Sequence, residues 1–271
     1  MKKQLLIILA VVFVAAAIIS VFLIVQKNKK IAGATTTTNP GPQYPKIEKY
    51  EVPILMYHYI RVASANDDLG QKLSVTPTNF NEQMKYLKDN GYVTIKLSDV
   101  ADPEKKELSR IYFEKKKPIV LTFDDGYQDA YTQAFSILKK NDFKGVFFII
   151  RDYADKVGYL SQTQIDEMRN AGMEIGSHTL SHPDLSKLNT AEQHKQIFDS
   201  KEDANTFCYP SGKYNNETIN LVKEAGYAAA VTTKIGVARE TSDLYTLPRV
   251  RVENVSPQAL MDKIEYALEH S

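Results

Sequence analysis

The sequence predicts an α/β domain, a distorted or incomplete (β/α) barrel of about seven parallel strands, preceded by an N-terminal transmembrane helix. Short apolar runs alternate with helical patterns through residues 50–271, and several runs are apolar throughout, as in strands buried on both faces. Helix, glycine and strand in repetition are typical of a parallel sheet. An open doubly wound sheet is the alternative. The runs are Val52–Tyr57, Tyr92–Ile95, Ile119–Phe123, Val146–Ile150, Met173–Ile175, Thr206–Tyr209 and Tyr227–Val231.

Residues 1–25 are predicted to be a signal-anchor. Leu5 to Val25 contains one polar residue, Ser20, and at about 1.5 Å per residue it spans the roughly 30 Å hydrocarbon core of a bilayer. A cleavable signal peptide is the alternative, although its apolar region is usually only about 7–15 residues long. We therefore expect a single-pass cell-membrane protein with its body outside, or else a secreted protein.

The next segment, residues 26–49, is predicted to be a flexible linker, because threonine, glycine and proline dominate its centre. The folded body is then 50–271. The first 45 residues hold five of the 34 basic residues and none of the 33 acidic ones, so the remainder is mildly acidic. This balance argues against nucleic acid as a partner, since phosphate binding needs a basic face. We expect a monomer, and the single cysteine, Cys208, excludes an intrachain disulfide.

The helices of the body have recognisable ends. Thr76-Pro77 and Ser256-Pro257 each place a capping residue before a first-turn proline, and Ser161 to Gln164 fits a capping box. A glycine suited to a left-handed backbone then ends three helices before a strand. These ends are Asn90-Gly91, Ala171-Gly172 and Ala225-Gly226.

Two adjacent carboxylates, Asp124 and Asp125, follow the run Ile119–Phe123 directly. Like charges this close raise each other's pKa, and a metal ion would relieve that cost. The alternative is an ordinary polar turn, in which Gly126 supplies a positive φ. The pair becomes informative because active sites of parallel α/β folds lie at the carboxyl ends of the strands.

Three of the five histidines also follow strands. His178 and His182 come after Met173–Ile175 with a spacing that places both on one face of a helical turn, where their ring nitrogens can meet one ion at about 2.0–2.1 Å. Two histidines and one aspartate leave an open position for water on Zn²⁺, which favours a catalytic site. Unrelated surface or core histidines are the alternative. His58 follows Val52–Tyr57 and, taken alone, would be a packed or surface residue.

Weaker signals follow two further segments. The turn Pro210-Ser211-Gly212 can present backbone N–H groups to a developing oxyanion, or it is a plain turn. Arg249 and Arg251 lie near the end of the sheet, where a solvated position is the default.

Together, Thr122–Gly126 and the segment Ser177 to His182 resemble the motifs of the polysaccharide deacetylase family, also known as the NodB-homology domain or carbohydrate esterase family 4. The resemblance covers about residues 116–250 by motif and the body, 50–271, by architecture, with a NodB-homology core of about residues 116–271. It implies a distorted (β/α) barrel and a divalent metal, Zn²⁺ first and Co²⁺ second. By matching motifs, the metal ligands would be Asp125, His178 and His182, the general base Asp124, and the oxyanion-binding N–H that of Ser211.

Two departures from the family pattern affect the site. The family often carries a base-orienting arginine two residues before the turn proline, where this chain has Cys208, and Arg249 could replace it from another strand end. The family also usually ends in an apolar strand with a general-acid histidine. Here a similar segment, Ile54 to His58, lies at the front. This is similar to the circularly permuted branch that includes biofilm poly-N-acetylglucosamine deacetylases, and it makes His58 the candidate acid.

The implied activity is removal of acetyl groups from N-acetylglucosamine units of an extracellular or cell-wall polysaccharide. Tyr127 and Tyr209, with Tyr214, lie beside the motifs and are predicted to line the sugar groove. One alternative is an esterase for O-acetylated glycans such as xylan. The other is a carbohydrate-binding protein without turnover, which the departure at Cys208 suggests.

Overall fold

Seven parallel strands close into a barrel in the computed structural model, which describes residues 44–271. Around the ring the order is β2, β12, β10, β9, β8, β7, β6 and back to β2. The remaining strands are short and lie outside the ring. In chain order the strands are β1 (Glu51–Val52), β2 (Ile54–Tyr57), β3 (Tyr59–Ile60), β4 (Ser74–Val75), β5 (Tyr92–Thr94), β6 (Lys117–Phe123), β7 (Val146–Ile149), β8 (Glu174–Ser177), β9 (Thr206–Cys208), β10 (Ala229–Ile235), β11 (Ala238–Arg239) and β12 (Leu247–Arg251).

The first barrel strand of the chain closes the ring. In β2, Leu55 lies opposite Val250 of β12 on one side and Leu121 of β6 on the other, and both pairings are parallel. The predicted (β/α) barrel is therefore confirmed, and the open doubly wound alternative is wrong. Closure also leaves neither β6 nor β12 with an unpaired edge.

The membership of the ring differs from the prediction in one strand. The run that contains β5 pairs only with the first half of β6, where Tyr92 lies opposite Lys117, and it stays outside the ring. The seventh barrel strand is β12, which the apolar runs did not include. Pro248 and two arginines interrupt its apolar pattern. Arg249 points into the barrel, where it forms an ion pair with Asp124.

The predicted helix ends are confirmed. Thr76, Ser161 and Ser256 each accept a hydrogen bond from a first-turn N–H, and Ser161 forms a capping box with Gln164. Gly91, Gly172 and Gly226 adopt the expected positive φ. A π-helical turn, Ala130–Phe135, leads into the helix that follows β6. The α-helices are Asp68–Leu73, Pro77–Asp89, Leu97–Ala101, Lys106–Phe113, Ser136–Asn141, Gln162–Asn170, Thr190–Phe198, Asn216–Glu224 and Pro257–His270.

Side chains along the barrel strands point alternately into the barrel and towards the surrounding helices. In β6, Leu121 and Phe123 belong to one apolar cluster, which packs under the helices, whereas Val120 belongs to a second cluster with inward-facing residues of other barrel strands. Because side chains alternate with a period of two, Thr122 and Asp124 also point inward. The strand that carries the paired aspartates therefore delivers Asp124 to the interior of the barrel.

The N-terminal predictions fall mostly on residues that the structure does not describe. The signal-anchor at 1–25 and most of the linker 26–49 lie outside the described residues. Within residues 44–271, no helix combines the length and apolar character needed to cross a bilayer. Two residues at the end of the predicted linker contact the domain: the Ile47 N–H donates to Ser109 Oγ at 3.2 Å, and the Tyr44 ring lies 5.3 Å from that of Phe113.

Candidate active site

The polar side chains predicted from strand ends meet at one mouth of the barrel. Because all seven strands run in the same direction, their carboxyl ends share this mouth. Asp124 and Asp125 follow β6, the two clustered histidines follow β8, and His58 follows β2. Arg249, inside β12 on the other side of β2, reaches the same place.

Asp125, His178 and His182 form a cluster that can hold a metal ion. Asp125 Oδ1 lies 3.3 Å from His178 Nε2 and 3.5 Å from His182 Nε2. All three donor atoms lie within 4.8 Å of one another. One carboxylate oxygen and two imidazole nitrogens suit a divalent transition metal and leave a coordination position open.

The tautomer of His178 favours this use of its ring. His178 Nδ1 lies 2.7 Å from the carbonyl oxygen of Cys208, which can only accept a hydrogen bond. Nδ1 therefore carries a proton, and Nε2, on the side of Asp125, is the ring nitrogen available to a metal. Backbone carbonyls commonly orient metal-binding histidines in this way.

The predicted helical turn between the two histidines is wrong. Thr179 and His182 have left-handed backbones, with φ of 66° and 60°. The segment forms tight turns, and the His182 N–H donates to Thr179 Oγ1 at 2.9 Å. The turns nevertheless bring the rings of His178 and His182 to 4.8 Å between centroids. Left-handed non-glycine residues are costly and tend to occur at functional sites.

Arg249 grips Asp124 with both ends of its guanidinium. Nη1 donates to Oδ1 at 2.7 Å and Nη2 donates to Oδ2 at 2.8 Å. The three remaining N–H groups go to the Thr232 carbonyl, to Thr122 Oγ1 and to Cys208 Sγ, so every donor is satisfied. Burial opposes the charge on Asp124, but Arg249 outweighs it and holds the pKa of Asp124 well below its usual range.

Cys208 is a packed residue beside this pair. Its side chain is fully buried, and burial raises the pKa of the thiol, which keeps it neutral. Sγ lies 3.3 Å from Arg249 Nη2 and 3.6 Å from Asp124 Oδ2. The small side chain thus leaves room for the guanidinium that enters from β12.

His58 flanks the aspartates on the β2 side. Its Nε2 lies 3.8 Å from Asp124 Oδ2, and its side chain is 15% exposed. Burial lowers the pKa of His58, and the charges of Asp124 and Asp125 act in the opposite direction.

The turn Pro210–Gly212 follows β9 at the same mouth. Ser211 is exposed and has a φ of 52°, and Gly212 has a φ of 64°. A Cβ at Gly212 would lie 2.1 Å from Thr233 Oγ1, so only glycine fits there.

Tyr209 does not line the predicted sugar groove. The Tyr209 ring is fully buried and its hydroxyl donates to the Tyr245 carbonyl at 2.9 Å, so it has no access to a polymer. The half-buried Tyr127 is stacked on Tyr59 with centroids 3.8 Å apart, and Tyr159 lies 5.3 Å from it. One face of Tyr127 is therefore covered by Tyr59.

Sequence reasoning missed three groups that hold the site together. Thr122 Oγ1 donates to the Leu55 carbonyl at 2.7 Å and accepts from Arg249. The carbonyls of Thr232 and Cys208 hold Arg249 and His178. The position of Thr122, two residues before Asp124 on an inward-facing strand, was a usable signal. The two carbonyls left no signal in the sequence, because every residue type has a backbone carbonyl.

Comparisons with known proteins agree with this geometry. A family model described as polysaccharide deacetylase matches residues 113–230. YxkH of Bacillus subtilis, a protein assigned to the polysaccharide deacetylases, is 36% identical over 214 residues, which cover 74% of this chain and 71% of YxkH. A poly-beta-1,6-N-acetyl-D-glucosamine N-deacetylase of Staphylococcus epidermidis is 27% identical over 249 residues, covering 80% of this chain and 84% of that protein.

A solved structure of a deacetylase is also similar to this chain. The Streptococcus pyogenes deacetylase PplD, in complex with acetate, superposes with a TM-score of 0.70 and 31% identity, covering 79% of this chain and 98% of that chain. The closed parallel barrel, the Asp-His-His cluster at its mouth and these relatives lead to one conclusion: the chain belongs to the polysaccharide deacetylase family.

Proposed function

We propose that this protein is a metal-dependent hydrolase that removes acetyl groups from N-acetylglucosamine units of an extracellular or cell-wall polysaccharide. The observation that carries the proposal is the convergence of a three-ligand cluster, a clamped carboxylate and a histidine at one mouth of the barrel. The relative from Staphylococcus epidermidis, named for N-deacetylation of poly-beta-1,6-N-acetyl-D-glucosamine, supports this substrate class.

We propose Zn²⁺ as the metal, with Asp125, His178 and His182 as its ligands. The mixed nitrogen and oxygen donor set supports zinc, and cobalt is the second choice. A divalent ion held there supplies Lewis acidity, which polarises an acetyl carbonyl and makes water more acidic.

In this proposal Asp124 is the general base. Arg249 holds both of its oxygens, which keeps the carboxylate ionised and fixes its plane. Besides Arg249, Oδ2 has only a long hydrogen bond of 3.6 Å from Cys208 Sγ, and it faces His58 across the mouth. Asp124 can therefore take a proton from water that attacks the acetyl carbon.

His58 is the proposed general acid, which protonates the departing amine. An amine leaves poorly as an anion, so the second half of amide hydrolysis needs a proton donor on the leaving-group side. The exposed backbone N–H of Ser211 is the proposed donor to the oxyanion. Base and acid thus come from β6 and β2, neighbouring strands of the closed ring.

Acetate release from chemically defined oligosaccharides tests the reaction. We expect the protein to release acetate from N-acetylglucosamine oligomers, β-1,6-linked or β-1,4-linked, and to lose this activity when a chelator strips the metal. Zn²⁺ or Co²⁺ should restore it. Activity on O-acetylated xylan oligomers alone would show an esterase, and binding without turnover under every metal would show a carbohydrate-binding protein.

Single substitutions distinguish the proposed roles of the two aspartates. Asp124→Asn should keep the bound metal and lose at least about 100-fold in kcat, whereas Asp125→Asn should lose metal as well as activity. Metal content is measured on the purified variants. Asp203→Asn, an exposed aspartate in a loop, is the matched control and should behave like the wild type. Equal metal loss in both variants would contradict the separate roles.

We also propose that residues 1–25 anchor the protein in the cell membrane as a single pass, with the domain outside and monomeric. The apolar stretch between residues 5 and 25 supports this proposal. Fractionation of cells, followed by protease treatment of intact cells, tests it. Recovery of the domain in the culture medium without residues 1–25 would favour signal cleavage.

A further inference from the structure

The segment that carries the two aspartates also grips the strand end that carries His58. We define residues 124–129 as the clasp segment and residues 57–61 as the acid segment. The two segments touch at three points, and His58 lies between the first and second of them. This arrangement matters because nothing else that we find in residues 44–271 orients the imidazole: its closest charged atom, Asp124 Oδ2, is 3.8 Å away, beyond hydrogen-bond distance.

The first point of contact lies directly before His58. The Asp124 N–H donates to the Tyr57 carbonyl at 3.0 Å, which continues the pairing of β2 with β6 by one residue. The Tyr57 ring is fully buried, and its hydroxyl donates to Gln83 Oε1 at 3.1 Å. This end of the acid segment is therefore part of the barrel core.

The second point lies directly after His58. The rings of Tyr59 and Tyr127 are stacked, with centroids 3.8 Å apart and planes 18° apart. The Arg61 guanidinium lies 3.7 Å from the centroid of the Tyr59 ring. Arg61 is itself held by Asp67, at 2.8 Å between Nη2 and Oδ2. Stacking of this kind stabilises the contact beyond the burial of area.

The third point is a hydrogen bond from the backbone. The Ile60 N–H donates to Asp129 Oδ1 at 3.2 Å. Asp129 lies four residues after Asp125, at the start of the π-helical turn Ala130–Phe135. The carboxylate thereby joins the outgoing end of the acid segment to the same stretch of chain that carries the base and a metal ligand.

We propose that Tyr127 and Asp129 are positioning residues that set the distance of His58 from the leaving group. The proposal rests on the proposed function, since it takes His58 as the acid. A general acid acts only when its proton lies within hydrogen-bond reach of the leaving atom. A displacement of about 1 Å costs about 100-fold in rate, so a backbone clasp on both sides of the acid has a measurable consequence.

The test compares leaving groups in Asp129→Ala. On N-acetylglucosamine oligomers we expect kcat to fall about 10- to 100-fold with KM unchanged. On 4-nitrophenyl acetate, whose phenolate departs without protonation, we expect the wild-type rate. His58→Ala should show the same selectivity with a larger loss. Asp129→Asn keeps an acceptor for the Ile60 N–H and should retain most of the activity.

Controls separate positioning from general damage. Asp203→Ala is the matched control for removal of an aspartate, and metal content and circular dichroism are recorded for each variant. Tyr127→Ala, which removes the stacked ring, is the second variant in case Asp129→Ala does not fold. Tyr127→Phe keeps the ring and should lose less activity on the amide than Tyr127→Ala.

Two outcomes would overturn the inference. Equal losses on the amide and on the aryl ester would show that the clasp supports the whole site rather than the acid. Wild-type behaviour of Asp129→Ala and Tyr127→Ala, beside a leaving-group-selective His58→Ala, would show that the acid needs no clasp while leaving the proposed function intact. A wild-type protein that releases no acetate from any acetamide would instead refute the proposed function, and this inference with it.

Discussion

Arg249 supplies the positive charge beside Asp124 from β12, although the family pattern places an arginine on another strand. Asp124 is buried and ionised, and a buried carboxylate needs a cation and full hydrogen bonding. The family pattern predicted the arginine at position 208, and this chain has a cysteine there. The guanidinium instead comes from β12 and fills the space that Cys208 leaves, because the interior of a closed barrel is accessible from any strand.

Replacing Arg249 by methionine should destabilise the protein by about 3–5 kcal/mol, because it leaves the carboxylate of Asp124 buried without its partner. Urea unfolding at neutral pH measures this change. The double variant Arg249→Met, Asp124→Asn should recover part of the loss, since the uncompensated charge is then absent. Arg251→Met, at an exposed position two residues further along the same strand, should change stability by less than about 0.5 kcal/mol. Similar losses in both single variants would contradict the argument.

The carboxyl end of β6 gives two neighbouring aspartates different partners. Asp124 continues the inward alternation of β6 and reaches Arg249 inside the barrel. Asp125 has a φ of 76°, so the chain turns sharply and its carboxylate faces the two histidines. Adjacent residues of the same type thus occupy different environments, because the strand-like pairing continues through Asp124 and the chain turns at Asp125.

The clasp segment should leave a signature in the pH dependence of stability. Burial raises the pKa of Asp129 from 3.8 to about 6, so the folded protein binds a proton that the unfolded chain releases between these values. Its contribution to the free energy of unfolding is therefore fully present below about pH 4 and declines as the pH rises through about 6. A shift of this size corresponds to about 3 kcal/mol before allowance for partial exposure.

Asp129→Asn has no such proton to lose. The stability of the variant relative to the wild type should therefore increase between about pH 4 and pH 7 and be constant above. Urea unfolding of both proteins at four pH values across this range measures the difference. A difference that does not vary with pH would show that Asp129 titrates normally.

At the scale of the whole molecule, the barrel is closed by a strand that comes first in the chain. β2 lies between β12 and β6, although nearly 200 residues of sequence separate it from β12. The two ends of the described domain also lie near each other, because Arg239 contacts both Glu51 and the Ser271 carbonyl. The closing strand could therefore lie at either end of the domain sequence without a change in its packing.

A circular permutant tests this view. Moving residues 44–65 behind Ser271 through a short glycine-serine linker, with the new start in the exposed loop at residue 66, should give one cooperative thermal transition and acetate release. Deleting residues 44–65 without reattachment should prevent folding, since β6 and β12 would then expose unpaired edges. Circular dichroism and thermal unfolding distinguish the two. An unfolded permutant would show that the order of the strands itself is needed.

The sequence and the structure contributed different parts of the site. Helix caps such as Ser161 and the strand-end aspartates were predictable, because capping, alternation and strand termination act over a few neighbouring residues. β12 was missed, since its apolar pattern is broken by an arginine whose partner is on another strand. The turn between the histidines and the burial of Tyr209 were also mispredicted, because both depend on neighbours far away in sequence.

By itself the sequence determined that this is a parallel α/β protein with aspartates and histidines placed after its strands, because those features follow from local periodicity and residue type. Only the tertiary structure decided that the ring closes through β2, that Arg249 is the partner of Asp124, and that Asp129 holds the segment of His58. Each of these depends on contacts between segments far apart in sequence, and such contacts exist only once the strands have packed.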